Sequence, residues 1–206
     1  MAPVPAAGRV KAREVRAAQT ASTLTVYQAY SPHIAEPALA AGRFVPPFKR
    51  ERMTWIKPSL LWMAYRCGWA QKEGQERVLA VEITREGFEW ALAHASLSHF
   101  EPGTYADHAA WEAAKRESPV RVQWDPERSL TLGALSHRAI QVGLSGEAVD
   151  RYVDEWIVEL RDATDLMRRV HAHVRAGDQE AARALLPVET PYPLSPELAA
   201  RVGATP

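Results

Sequence analysis

Alternating and continuous apolar runs mark the strands of this chain. Leu24-Thr-Val-Tyr-Gln-Ala-Tyr30 is β-branched and aromatic, and Arg77-Val-Leu-Ala-Val-Glu-Ile-Thr84 is nearly unbroken, the pattern of a strand covered on both faces. Pro119 to Trp124 alternates and stops at Asp125-Pro126, and Arg138 to Leu144 reads as a last strand. Met53 to Ile56 is a short extended piece ahead of Lys57 and Pro58. Helical spacing follows Ser31-Pro32 as far as Gly42 and runs from Ser59 to Gly68. Further helices are predicted from Glu86 to Leu97 behind a Thr84 cap, from Ala106 to Lys115, and from a Ser145 cap to about Leu160. Two more close the chain, near Asp165–Ala176 and Gln179–Leu186. The expected fold is α+β, with a mixed or antiparallel sheet of about five or six strands, flanking helices and a C-terminal helical segment. Residues 1–20 read as a flexible arm, 21–186 as a single domain and 187–206 as a Pro-rich extended tail.

Composition narrows the picture. With 206 residues, 47% of them hydrophobic, the chain can bury one core. The formal net charge is zero, so polyanion binding would need local clustering of cations rather than a global field. The single cysteine, Cys67, excludes an internal disulfide framework, and with no secretory apolar region behind Met1 a cytoplasmic location is expected. No apolar run reaches the roughly 20 residues of a membrane span, so no membrane partner is expected. No metal is expected either: His94 and His99 are five apart and His171 and His173 two apart, neither of which is the spacing that puts ligands on one helical face.

The stretch Phe44 to Cys67 carries the strongest candidate chemistry. Lys49, Arg50, Arg52 and Lys57 precede a helix entered through Pro58-Ser59, and cations beside unpaired helix N–H groups favour a phosphorylated ligand. A solvated charged loop is the competing reading. Trp55 lies between the cations and Pro58, where it stacks on a base or plugs the core. Gln28, Glu82 and Gln141 each interrupt an apolar strand, and a buried polar group needs a partner; three such groups suggest a cleft.

The segments from Val26-Tyr-Gln-Ala-Tyr-Ser-Pro through Lys49-Arg-Glu-Arg-Met-Thr-Trp-Ile-Lys-Pro-Ser to Val-Gln-Trp-Asp-Pro-Glu-Arg and Ile-Gln-Val-Gly-Leu-Ser-Gly-Glu-Ala-Val resemble domain-of-unknown-function family 4291 over about Arg13 to Pro193. That likeness brings no established activity. In layout, Tyr27-Gln-Ala-Tyr-Ser-Pro with the helix ending at Gly42, and the late strand Ala139 to Leu144, resemble the ADP-ribosyltransferase fold, which includes DNA-modifying toxins and NAD-dependent RNA 2′-phosphotransferases. The resemblance implies NAD as cofactor, a nucleotide ligand, and RNA or DNA as partner. It puts Gln28 where that fold has a histidine, with Tyr30 beside it at the nicotinamide ribose. Lys49, Arg50, Arg52 and Lys57 then take the phosphates and Trp55 a base, and Thr54 and Ser59 complete the cofactor-binding set. The reacting end falls to Arg138 and Gln141, where the fold's catalytic glutamate is absent, and Glu82 or Glu147 is left to supply a carboxylate. The alternatives are a non-catalytic RNA, DNA or nucleotide-binding module built on loop 49–57, and a hydrolase that uses Glu82.

Overall fold

The computed structural model describes residues 10–205. In chain order the strands are β1 (Arg16–Ala17), β2 (Thr23–Tyr30), β3 (Thr54–Ile56), β4 (Arg77–Thr84), β5 (Ala95–Leu97), β6 (Val120–Arg128), β7 (Ala134–Leu144), β8 (Ile157–Asp162) and β9 (Thr190–Pro191). The helices are α1 (Pro32–Ala41), α2 (Leu60–Cys67), α3 (Arg85–Ala93), α4 (His108–Glu117), α5 (Glu147–Arg151), α6 (Thr164–Arg175), α7 (Gln179–Leu185) and α8 (Pro196–Val202). The fold is α+β, a single domain.

The nearly unbroken apolar run forms β4, the centre of an antiparallel sheet ordered β2-β4-β8. Alternation explains why the run is continuous. Leu79, Val81 and Ile83 join Leu24 and Val26 in the main core, whereas Val78 and Ala80 join Tyr27 in a second core against Leu60 and Met63 of α2 and Met167 and Val170 of α6. A second sheet is ordered β3-β7-β6-β5, antiparallel except for the parallel β5–β6 pair. The two sheets meet at one antiparallel bridge, Tyr27 to Lys57, made by Tyr27 N–H to the Lys57 carbonyl at 2.7 Å and Lys57 N–H to the Tyr27 carbonyl at 3.3 Å.

Three expectations are corrected. The long helix from Ser145 ends at Arg151, passes through a π-helical turn at Tyr152–Trp156 and becomes β8, in which Leu160 pairs with Val81. Tyr152, Val153 and Trp156 are buried at helical spacing, but the open edge of β4 offers a backbone ladder that takes Ile157 against Ile83 and, past the bulged Val158, Glu159 to Asp162 against Glu82 to Leu79. The helix after Thr84 stops at Ala93 because residues 95–97 pair with β6 as a third kind of edge, the parallel one. The described part of the arm and the tail are packed: Val15, Ala17, Tyr192 and Val202 are buried, β1 pairs with β9, and residues 196–202 form α8. These segments carry few apolar residues, yet those few enter the main core, and Trp124 donates its indole N–H to the Val202 carbonyl at 2.7 Å. Residues 1–9 of the expected arm lie outside the described residues.

The tail also closes the start of α2. Glu189 Oε1 accepts the Leu60 N–H at 2.9 Å, and Ser59 Oγ accepts the Trp62 N–H at 3.0 Å while donating to Glu127. Burial pushes the Glu189 carboxyl up to about 8, with nearby Glu127 adding to the rise and the Leu60 N–H opposing it. An acid raised on folding binds its proton more tightly in the folded chain, so its stabilisation is complete below the unfolded value and is lost as pH rises through about 8. Glu189→Gln keeps an acceptor for Leu60 and removes the titration. Thermal melts of the two proteins should therefore diverge in favour of Glu189→Gln between about pH 5 and pH 8, and parallel curves would refute the buried protonated carboxyl.

Candidate functional site

Beside the bridge between the sheets lies a cleft of about 790 Å³. Its sheet wall is the face of β3, β7 and β6 turned away from the main core. Ile140, Val142 and Leu144 of β7 and Val120, Val122 and Trp124 of β6 point into the core, which leaves Gln141, Gln123 and Asp125 to line the cleft with Trp55. On the opposite side stand Trp62, Met63 and Arg66 of α2, and Pro47, Phe48, Lys49, Arg52 and Met53 of the preceding loop form its rim.

Gln28 sits at the seam and is 2% exposed. Its Oε1 accepts the Tyr152 hydroxyl at 2.6 Å, and its Nε2 donates to the Tyr30 hydroxyl at 2.9 Å and to the Trp55 carbonyl at 3.2 Å. Every amide contact is taken up within the protein, so Gln28 locks β2 to β3 instead of offering a free group to a ligand. Burial pushes the Tyr30 phenol up to about 12 and the Tyr152 phenol well above its ordinary value, so both stay protonated. Thr54 is buried and also lines the cleft.

Across the sheet, Asp125 accepts from Gln123 Nε2 at 2.8 Å and from Gln141 Nε2. Gln141 is therefore in the cleft as expected from its strand, but its amide is spent orienting a carboxylate. Asp125 is the acidic residue among those lining the cleft, whereas Lys49, Arg52, Lys57 and Arg66 are its cations. Among the described residues none of these four forms an ion pair; Arg66 Nη1 reaches only the Gln75 side-chain oxygen, at 3.2 Å. Lys49 and Arg52 are exposed at the mouth. Lys57 is 5% exposed, with its ammonium group 4.7 Å from the centre of the Trp62 ring. Burial lowers its pKa to about 7, with Arg66 lowering it further and Asp125 opposing.

Five other residues singled out in the sequence fall outside the cleft. Arg50 is clamped on the surface by Asp154, at 2.6 and 2.7 Å, and by Asp150 at 3.0 Å. Ser59 is buried as the α2 cap, and with Glu189 it takes up helix N–H groups that the sequence pattern offered to a phosphate. Arg138 is exposed and donates to the Trp124 carbonyl at 2.9 Å, beside a separate crevice with His137 and Glu14. Glu82 shares the face of Val78 and Ala80, opposite Gln28, where it accepts the Thr23 hydroxyl at 2.5 Å and sits 3.7 Å from Arg161. Glu147 pairs with Arg151 at 2.7 Å on the surface.

Sequence reasoning missed Asp125, Gln123, Trp62 and Arg66. The signals were present: Gln123 and Asp125 are two apart on an alternating strand, on the face opposite Val122 and Trp124, and Trp62 and Arg66 are one helical turn apart. Gly143 was also missed as a site residue. It pairs with Trp55, and a Cβ there would stand 2.9 Å from the Trp55 ring and from Met53 Sδ. Gly143→Ala should push the Trp55 ring off the strand, lower stability by about 1–3 kcal/mol and alter tryptophan emission. A melt and emission spectrum matching the parent would show that the ring has slack.

Among the described residues no group of three or more His, Cys, Asp or Glu could hold a metal ion, and no helix is long and apolar enough to cross a membrane. No curated protein matches the chain. The family model for Domain of unknown function (DUF4291) matches residues 14–192, a span that includes both sheets and every residue of the cleft, and the chain belongs to that family.

Proposed function

We propose that the cleft binds a nucleotide, NAD or a relative of it, with the phosphates on Lys49, Arg52 and Arg66, the sugar end beside Lys57 and an aromatic or ribose moiety against Trp55. The observation that carries this reading is the gathering of four cations without ion pairs into one cleft of a chain with zero net charge. Cations left unpaired beside one another repel, and an anion relieves that repulsion. Trp55, Trp62 and Phe48 in the same lining give a base or sugar an apolar surface. Cleavage at a nucleotide ribose, as the ADP-ribosyltransferase pattern implies, needs a carboxylate near the developing positive charge. Asp125, held by two glutamine amides, fits that need, in place of Glu82 and Glu147.

Calorimetry with NAD, ADP-ribose, ATP and inorganic phosphate tests the reading. Binding should be enthalpically detectable for at least one nucleotide, weaken with salt, and fall about tenfold in Arg52→Ala, the effect of losing one charge-assisted contact. Arg50→Ala, which disturbs only the surface clamp, should leave affinity within about twofold. The absence of binding by every nucleotide would overturn the proposal, and salt-sensitive binding of single-stranded RNA or DNA without nucleotide binding would favour the nucleic-acid module instead.

A further inference from the structure

We infer that Lys57 is a reactive amine that forms an imine with the carbonyl of a phosphorylated sugar. This deepens the nucleotide reading and rests on it, since the same cations would hold the phosphate. The open-chain form of ADP-ribose, whose terminal ribose carries an aldehyde at its anomeric carbon, belongs to the class.

Three observations place the chemistry on Lys57. Its main chain is fixed at the seam by both Tyr27 hydrogen bonds, so the base of the side chain cannot wander. The residue is 95% buried by the complement of its 5% exposure, yet among the described residues its amine has no hydrogen bond and no ion pair. Its neighbours are the face of Trp62, the cation Arg66 and, opposing Arg66, the carboxylate of Asp125, all of which line the same cleft. A buried amine beside another cation is the arrangement that keeps lysine in its nucleophilic free-base form, and the depressed pKa of about 7 agrees with the geometry. Lys49, by contrast, is exposed and has no such neighbourhood.

The step balances without any further reagent. The Nζ lone pair adds to the carbonyl carbon and a carbinolamine forms. The former carbonyl oxygen then leaves as water, carrying the two hydrogens of the amine, and a C=N bond remains. Asp125 is the lining carboxylate able to pass the proton to the departing oxygen, and Gln123 and Gln141 hold it in place. Arg52, Arg66 and Lys49 would retain the phosphate while the sugar end reacts.

The test incubates the full chain with ribose 5-phosphate or ADP-ribose and cyanoborohydride, then maps adducts on peptides by mass spectrometry. Lys57 should be labelled at least about tenfold faster than Lys11, Lys49, Lys72 and Lys115. Ribose lacking the phosphate should label it about tenfold more slowly, and inorganic phosphate should compete. The labelling rate should reach half its maximum near the Lys57 pKa of about 7. Lys57→Met should abolish that adduct, and because the main comparison is between lysines of the unmodified protein, it stands even if the variant folds poorly. Uniform labelling of all lysines, or none at Lys57, overturns the inference. If ADP-ribose binds by calorimetry without labelling Lys57, the imine falls and the nucleotide reading stands. If Lys57 is labelled equally by ribose and ribose 5-phosphate, the phosphate-holding role fails, and with it this inference as stated.

Discussion

Two backbone hydrogen bonds between Tyr27 and Lys57 join the sheets, and the cleft exists because the sheets diverge from that point. Tyr27 lies on β2, whose other edge is already paired with β4, and Lys57 follows directly on β3, whose other edge is paired with β7. Nothing else at the seam could hold two edge strands together without leaving N–H and C=O groups bare. The neighbouring Gln28 extends the seam by one side-chain contact to the Trp55 carbonyl. The residue that closes the joint is therefore also the one whose amine enters the cleft. A change in the pairing register of β3 by one residue would exchange Lys57 for Ile56 or Pro58 and turn the Trp55 ring to the core face.

The strands were legible in the sequence where burial on both faces, or on one, produced a clean pattern. The β4 run, the alternation of β6 and the apolar run of β7 mark the elements and single out Gln141, whereas Asp125 reads as the end of its strand although β6 runs on to Arg128. The ends of helices were less legible. Trp156 completes a helical pattern that continues into Ile157 and Leu160, and only the unpaired edge of β4, which has no local signature, converts those residues into β8. The arm and tail misled for a related reason. Val15, Ala17, Tyr192 and Val202 are too sparse to register as core, but residues 16–17 and 190–191 pair across the whole chain, and loop closure over such a distance leaves no trace in any local window.

The cations of Phe44 to Lys57 show how far charge counting goes. Adjacent in sequence, they part company in the fold: Arg50 turns to Asp150 and Asp154, Lys49 and Arg52 stay at the cleft mouth, and Lys57 goes inside. The withdrawal of Arg50 depends on acids 100 and 104 residues away, which no reading of the loop alone could pair with it. Likewise, strand alternation separates Glu82 from Gln28 by the thickness of the sheet, although both looked like polar centres of interior strands.

The start of α2 gives the last step. A basic loop running into a helix suggested that the helix N–H groups would receive a phosphate, but Ser59 and Glu189 occupy them. That occupation has a consequence for the site. With its first turn tied to the tail through Glu189 and to β6, a strand of the cleft wall, through the Ser59–Glu127 contact, α2 is held at one end. Trp62 and Arg66, one and two turns further along, are thereby fixed against Lys57 without any direct bond to it. An amine can stay desolvated and partly unprotonated only if the wall that desolvates it does not move, because water entering a loosened cleft would restore the ordinary lysine pKa. The tail side chain of Glu189, by fixing the start of α2, is thus part of what holds the Trp62 wall against Lys57.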